Sequence, residues 1–435
     1  MRVKYRCLLG SAVIAMAAGM PAAGETLDEA IASAFATNPQ LDLQRYETDI
    51  AREGLEQARS GGRTTVNVSG SAGYEYVDTT SPFSFNLGDR PIASAQVQAV
   101  QPIYTGGRVS AGIRQAKAGV SAAKSQFDAA EQNLILDVVT AYVDVRRDRE
   151  AVAIRRNNVD VTAEQVRAAD DRFEVGVVTR TDVSLANARL EGARAALAGA
   201  EASREASEAN YQFLTSLKPG DLAPPPPIPP LPASLEEAVA IALDGNPDIE
   251  AARNSERAAS EAIEVARAQY RPQVNLVGTA GVQETYGSDA DQRDTSVSAV
   301  VQGTIPLLSG GLIKSQVSSA RLRRNQARNQ IDILERQIRA QVAQAWFGYD
   351  ASLRSIEASS RQVDAAEIAY EGAKEELAVG VRTTLDVLDQ EQQLFEARLA
   401  LVESERDAYV AAFRLLRAAG ELDQPVPTGA SPVAE

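Results

Sequence analysis

Two long heptad series, each free of proline, limit this chain more than any other feature. In the first, Ile113, Val120, Phe127 and Leu134 recur every seven residues. After a four-residue step, so do Val138, Val145, Val152, Val159, Val166 and Phe173. The second runs Val317, Arg324, Ile331, Ile338, then Val342, Tyr349, Ile356, Val363, Tyr370 and Leu377, and only Arg324 departs from the apolar pattern. Three residues after many of these come small side chains, such as Ala116, Ala123, Ala130 and Ala141, or Ala345, Ser352, Ser359 and Ala366. Apolar positions at this period with small neighbours predict closely packed coiled-coil helices, and the four-residue step is a stutter. A helix from Ala111 to Val175 spans about 100 Å at 1.5 Å per residue, more than a compact domain needs. That length suits a protein crossing a wide aqueous compartment.

The two series belong to an internal duplication. Leu27-Asp-Glu-Ala30 matches Leu235-Glu-Glu-Ala238, Asn38-Pro39 matches Asn246-Pro247, and Val66-Asn67 matches Val274-Asn275, all 208 residues apart. Pro102-Ile-Tyr-Thr-Gly-Gly107 matches Pro306-Leu-Leu-Ser-Gly-Gly311 at a spacing of 204, so the copies differ by a four-residue indel between Gly73 and Pro102. The expected organisation is repeat 1 over 24–223, a stiff proline-rich linker over 224–232, repeat 2 over 233–420, and a disordered acidic tail over 421–435. Each repeat reads as a helix broken at Asn-Pro, a β-hairpin, and a long helical hairpin.

The hairpins show a period of two. Val66, Val68, Gly70, Ala72, Tyr74 and Tyr76 alternate with small or polar residues, and so do Ala93 to Ala99, Val274 to Val282 and Val297 to Val301. Such strands suit a transmembrane barrel, apolar toward lipid and polar toward water. A half-buried soluble hairpin is the alternative on alternation alone. The polar loops Asp78–Arg90 and Gly287–Asp294 suit an outer surface. Four strands cannot close a barrel, and lipid does not tolerate open edges. Two chains give eight strands around a filled interior, whereas three give twelve around a lumen, so a conduit favours a trimer or larger.

Residues 1–23 read as a secretory signal: Arg2, Lys4 and Arg6, an apolar stretch from Leu8 to Ala18, then small residues. Removing its three cations takes the formal charge from −15 to −18. The single cysteine, Cys7, lies inside it, so no disulfide or thiolate site is expected beyond it. The chain has no histidine, no phosphate loop and no dinucleotide fingerprint. The expectation is no enzyme, no catalytic residue, no cofactor and no metal. An acidic chain without a basic stretch argues against nucleic acid.

Two further stretches join the helical arms: Phe173-Glu-Val-Gly-Val-Val-Thr-Arg-Thr-Asp-Val183 and Leu377-Ala-Val-Gly-Val-Arg-Thr-Thr-Leu-Asp-Val-Leu-Asp389. Gly176 and Gly380 sit where a helix can stop, and Thr and Asp follow where the next can start. Both read as hairpin tips, near 176–182 and 380–386. Asp386 and Asp389, three apart, share one helix face. The simpler reading makes Thr383 and Asp386 a capping box.

The duplicated Asn-Pro sites, the Pro-x-x-x-Gly-Gly junctions at Pro102 and Pro306 and the two turns, all in order, resemble the TolC family of outer-membrane channel proteins. The resemblance spans both repeats. It implies a mainly α chain with a transmembrane β part. Long antiparallel coiled-coil hairpins and four strands per chain would contribute to a shared trimeric β-barrel and an α-helical barrel. It also implies an exit duct in the Gram-negative outer membrane, extending into the periplasm. The implied partners are two further copies, outer-membrane lipid, a periplasmic adaptor (membrane fusion protein) and an inner-membrane ABC or proton-driven transporter. Type I protein secretion and multidrug efflux share such a duct, so both stay open. By matching position, Asp386 and Asp389 would form an acidic ring at the periplasmic entrance, and Thr181 and Asp182 would face Arg382 as a gating bridge. Relatives can carry at Leu377 a tyrosine that bonds the first turn. The alternatives are a periplasmic coiled-coil scaffold or adaptor, disfavoured by two full hairpins alternating with membrane-length strands, and a porin, disfavoured by too few strands.

Overall fold

A computed structural model describes residues 24–77, 88–286 and 291–422. The expected signal segment with Cys7, much of both polar loops and most of the acidic tail lie outside the described residues. In chain order the elements are α1 (Leu27–Thr37), α2 (Pro39–Ser60), β1 (Thr65–Val77), β2 (Gly88–Tyr104), α3 (Arg108–Glu174), α4 (Arg180–Thr215), α5 (Leu235–Gly245), α6 (Pro247–Arg267), β3 (Gln273–Thr285), β4 (Gln292–Thr304), α7 (Leu312–Ala378) and α8 (Thr384–Ala419). A short 3₁₀ turn, Ala268–Tyr270, leads into β3. Each heptad series forms one unbroken helix of 67 residues, with no break in α3 at the stutter. Residues 224–232 belong to no helix or strand. Two compact units result, each drawing on both repeats.

One unit combines Asn38–Leu136, Pro229–Glu357 and the chain from Asp407 onward. It holds one antiparallel sheet in the order β1-β2-β3-β4, so the strands of both repeats join edge to edge. The register lines up Val68, Val97, Ala280 and Val297 in one cross-strand row and Val66, Ala99, Gly278 and Ala299 in another on the same face. The opposite face carries Asn67, Gln98, Thr279 and Ser298, then Ser71, Ser94, Gln283 and Asp294. Facing hydroxyls bond across it, Ser71 to Ser94 at 2.8 Å and Thr279 to Ser298 at 2.7 Å. Among the described residues the apolar face is bare: Val68 is 75% exposed and Val297 82%. Tyr74 and Tyr76 lie toward one end of that face and Tyr104 toward the other, as aromatic girdles do. β2 and β4 reach into the expected loops, beginning at Gly88 and Gln292. β2 also runs past the expected end of its alternation, through a register shift between Pro102 and Tyr104, a position where a strand tolerates proline.

Helices α5, α6, α7 and the end of α8 close this unit around Ala238, Ala242, Ile249, Ile338, Val342 and Leu415, with Trp346 packed against them. Both Asn-Pro sites start helices, because Asn supplies a side-chain cap and Pro fits the first turn. Asn38 Oδ1 accepts from the Gln40 N–H and Asn246 Oδ1 from the Asp248 N–H, both at 2.9 Å. In repeat 2 the helix preceding the strands meets the end of the returning arm. Asn246 Nδ2 donates to the Ala418 carbonyl at 3.1 Å, and Arg417 pairs with Asp248 at 2.9 Å.

The other unit combines the described part of Met1–Thr37 with Asp137–Ile228 and Ala358–Arg406. Tyr142 and Tyr211 are fully buried at its core. Tyr211 Oη donates to Glu25 Oε1 at 2.6 Å, and Tyr142 Oη lies within 2.8 Å of the Glu25 and Ala223 carbonyls. These bonds fasten the start of α1 to the segment after α4. The same unit contains both hairpin turns.

Candidate functional site at the paired helical turns

The two turns are built alike, residue for residue, 204 positions apart. In the first, the Gly176 N–H donates to the Phe173 carbonyl and the Val177 N–H to that of Arg172, each at 2.9 Å. In the second, Gly380 bonds Leu377 at 3.0 Å and Val381 bonds Glu376 at 2.9 Å. Nested bonds of this kind around a left-handed residue terminate a helix. Gly176 has φ +76° and Gly380 φ +80°, a conformation that a Cβ penalises.

Each following helix opens with a reciprocal capping box. Thr179 Oγ1 accepts from the Asp182 N–H at 3.3 Å, and Asp182 Oδ2 accepts from the Thr179 N–H at 2.8 Å. Thr383 and Asp386 repeat this at 3.2 and 3.0 Å. The backbone N–H bonds, then the threonine hydroxyls, hold both carboxylates below the usual aspartate range, and for Asp386 the Arg382 charge adds to this. The capping expected of Thr383 and Asp386 is therefore present, and its twin at Thr179 and Asp182 completes the repeat.

Thr181 is exposed in the first turn of α4, beside Asp182. Within the chain Arg382 pairs with Glu376 of its own hairpin rather than with Asp182. Asp389 lies one turn further into α8 than Asp386 and meets Arg189 of α4 at 2.6 Å. Arg172 of α3 donates to Thr384 Oγ1 at 3.1 Å. These last two contacts tie one hairpin to the other, over an apolar seam of Val166, Ala169, Ala186, Leu190 and Leu388. Arg189 and Arg172 carry no motif. A heptad assigns a residue to a helix face but not to the helix that face meets. Among the described residues, no cluster of His, Cys, Asp or Glu is arranged to hold a metal, and no helix is long and apolar enough to cross a membrane.

Known proteins share this architecture. The crystal structure of the Campylobacter jejuni CmeC outer membrane channel superposes with a TM-score of 0.80 over 93% of this chain and 87% of that one, at 18% identity. VceC of Vibrio cholerae superposes at 0.75 over 91% and 96%, at 22% identity. In sequence, the outer membrane efflux protein BepC of Brucella suis is 30% identical over 411 residues, 93% of this chain and 87% of the relative. Outer membrane protein TolC of Escherichia coli is 26% identical over 420 residues, 92% of this chain and 83% of the relative. A four-stranded sheet with a bare apolar face, carried with long helical hairpins, defines an outer-membrane channel protein of the TolC-like type. Residues 30–215 and 238–421 match the outer membrane efflux protein family, and the chain belongs to that family. It is an exit duct of the outer membrane, extending into the periplasm and serving efflux or type I secretion.

Proposed function

We propose that three copies of the chain form one duct, in which β1 of each sheet pairs with β4 of the next to close a twelve-stranded barrel. The observation that carries this reading is the sheet itself. It has four strands, two open edges and an apolar face, and only closure makes that compatible with lipid. The duct takes substrates from an inner-membrane ABC or proton-driven transporter through a periplasmic adaptor and passes them on without altering them. Relatives named for alkaline protease secretion in Pseudomonas aeruginosa and as an efflux pump outer membrane protein in Pseudomonas putida support both kinds of cargo route.

The paired turns form the periplasmic entrance. Three copies bring Asp386 and Asp389 around one axis as six carboxylates, an arrangement that favours cations over anions. The gate rests on weak, exchangeable contacts. The exposed Arg382–Glu376 pair contributes only about 0–1 kcal/mol, so Arg382 can trade Glu376 for Asp182 beside Thr181 when the hairpins shift. Planar-bilayer recording of the purified protein tests this. Arg382→Ser and Asp182→Ala each raise conductance if the bridge holds the gate, and unchanged conductance in both refutes it.

A further inference from the structure

Glu391 lies on α8, two residues beyond Asp389, where the two hairpins of this unit pack together. It is 2% exposed. Among the described residues its Oε1 has no hydrogen-bond partner. It borders a cavity of about 20 Å³ beside Asn158 and Thr162 of α3, Arg189 and Ala193 of α4, and Gln392. That space has room for about one water molecule.

The charges around Glu391 are committed elsewhere. From α4, Arg189 binds Asp389 at 2.6 Å. From α7, Lys374 binds Glu371 at 3.3 Å and sits 5.1 Å from the Tyr370 ring centre. On α8, Arg398 binds Glu367 at 3.3 Å. From α3 the cavity is lined by two neutral groups, Asn158 and Thr162, bonded to each other at 3.2 Å. Burial therefore dominates, opposed by Lys374 alone, and raises the carboxyl to about 7. The Tyr370 hydroxyl beside it is pushed up to about 12, by its own burial first and then by the Glu391 charge.

We propose that Glu391 is a proton-sensitive joint between the hairpins: neutral, it lets α8 seal against α3 and α4; ionised, it loosens that packing. A carboxyl raised in the closed state favours closure below its solvent-exposed value. That preference is lost as the pH climbs from about 4.5 to about 7, with opening rising about tenfold per pH unit across this window. The chain has no histidine, so no unperturbed side chain titrates near neutrality in its place. The joint stands on hairpin packing, and only its effect on flow rests on the entrance proposed above.

Hydrogen exchange of the intact purified protein, read by mass spectrometry at pH 5.5 and 7.5 and corrected for intrinsic exchange, tests the joint. In the wild type, protection of the α8 segment around Glu391 and the α3 segment around Asn158 falls about twentyfold between the two values. Glu391→Gln keeps protection constant and at least as high as wild type at pH 5.5. A wild type without the fall, or an equal fall in Glu391→Gln, overturns the proposal. Conductance that ignores pH while exchange responds refutes the entrance reading and leaves the joint standing.

Discussion

Replacing Val68 by arginine places a guanidinium in the middle of an apolar face that no described residue covers. Val68 heads the row Val68, Val97, Ala280 and Val297, and it lies between Tyr74 and Tyr76 toward one end of its face and Tyr104 toward the other. If that face meets hydrocarbon, the substitution costs about 2–4 kcal/mol per chain near the midplane, or about 6–12 kcal/mol for three chains. A penalty of that size exceeds much of the stability of a typical domain. The matched control is Ser69→Arg, one residue along and on the polar face opposite Gln96. There a long cation extends into water and costs little. The assay is the yield of folded protein extracted from outer membranes. Val68→Arg is expected to abolish assembly and Ser69→Arg to preserve it. Equal tolerance, or the reverse order, refutes the assignment of the apolar face to lipid.

Other outcomes follow from the turns and from the contact that ties one hairpin to the other. Gly380→Ala and Gly176→Ala each cost about 1–2 kcal/mol through the left-handed conformation alone, since no atom lies within 4 Å of the added Cβ; thermal unfolding and tip proteolysis measure this, and asparagine is the better-tolerated replacement. Thr179→Ala and Thr383→Ala remove a cap each, about 1 kcal/mol apiece, with the loss confined to exchange at the starts of α4 and α8. The carboxylates of Asp182 and Asp386 titrate below the usual range, so their capping is present above the ordinary aspartate value and is lost only as the pH falls below it. Asp389→Asn breaks the pair with Arg189, half-exposed on both sides, at a cost of about 0–1 kcal/mol, and shows as a small rise in channel conductance and a fall in cation preference.

Much of this structure is legible in the sequence because its elements repeat locally. The heptads yield α3 and α7, the alternation yields four strands with the expected faces, and Asn38 and Asn246 start helices where Asn-Pro predicts them. The tips are legible for the same reason, since glycine, threonine and aspartate act within a few residues of one another. What escapes is set by partners distant in sequence. Arg189 meets Asp389 across 200 residues, and Arg172 meets Thr384 across 212. Glu391 reads as one more acid on an amphipathic helix, and its burial emerges only when α3, α4 and α8 are brought together. The full length of β2 is hidden by Pro91 and Pro102, which punctuate the alternation although the strand passes through both.

Electron cryo-microscopy of the detergent-extracted protein counts the copies in the assembled duct and shows how their sheets meet. Three copies around one axis are expected, with β1 of each paired to β4 of the next in a twelve-stranded barrel. Single chains, a ring of another size, or copies joined without strand pairing contradict the shared barrel.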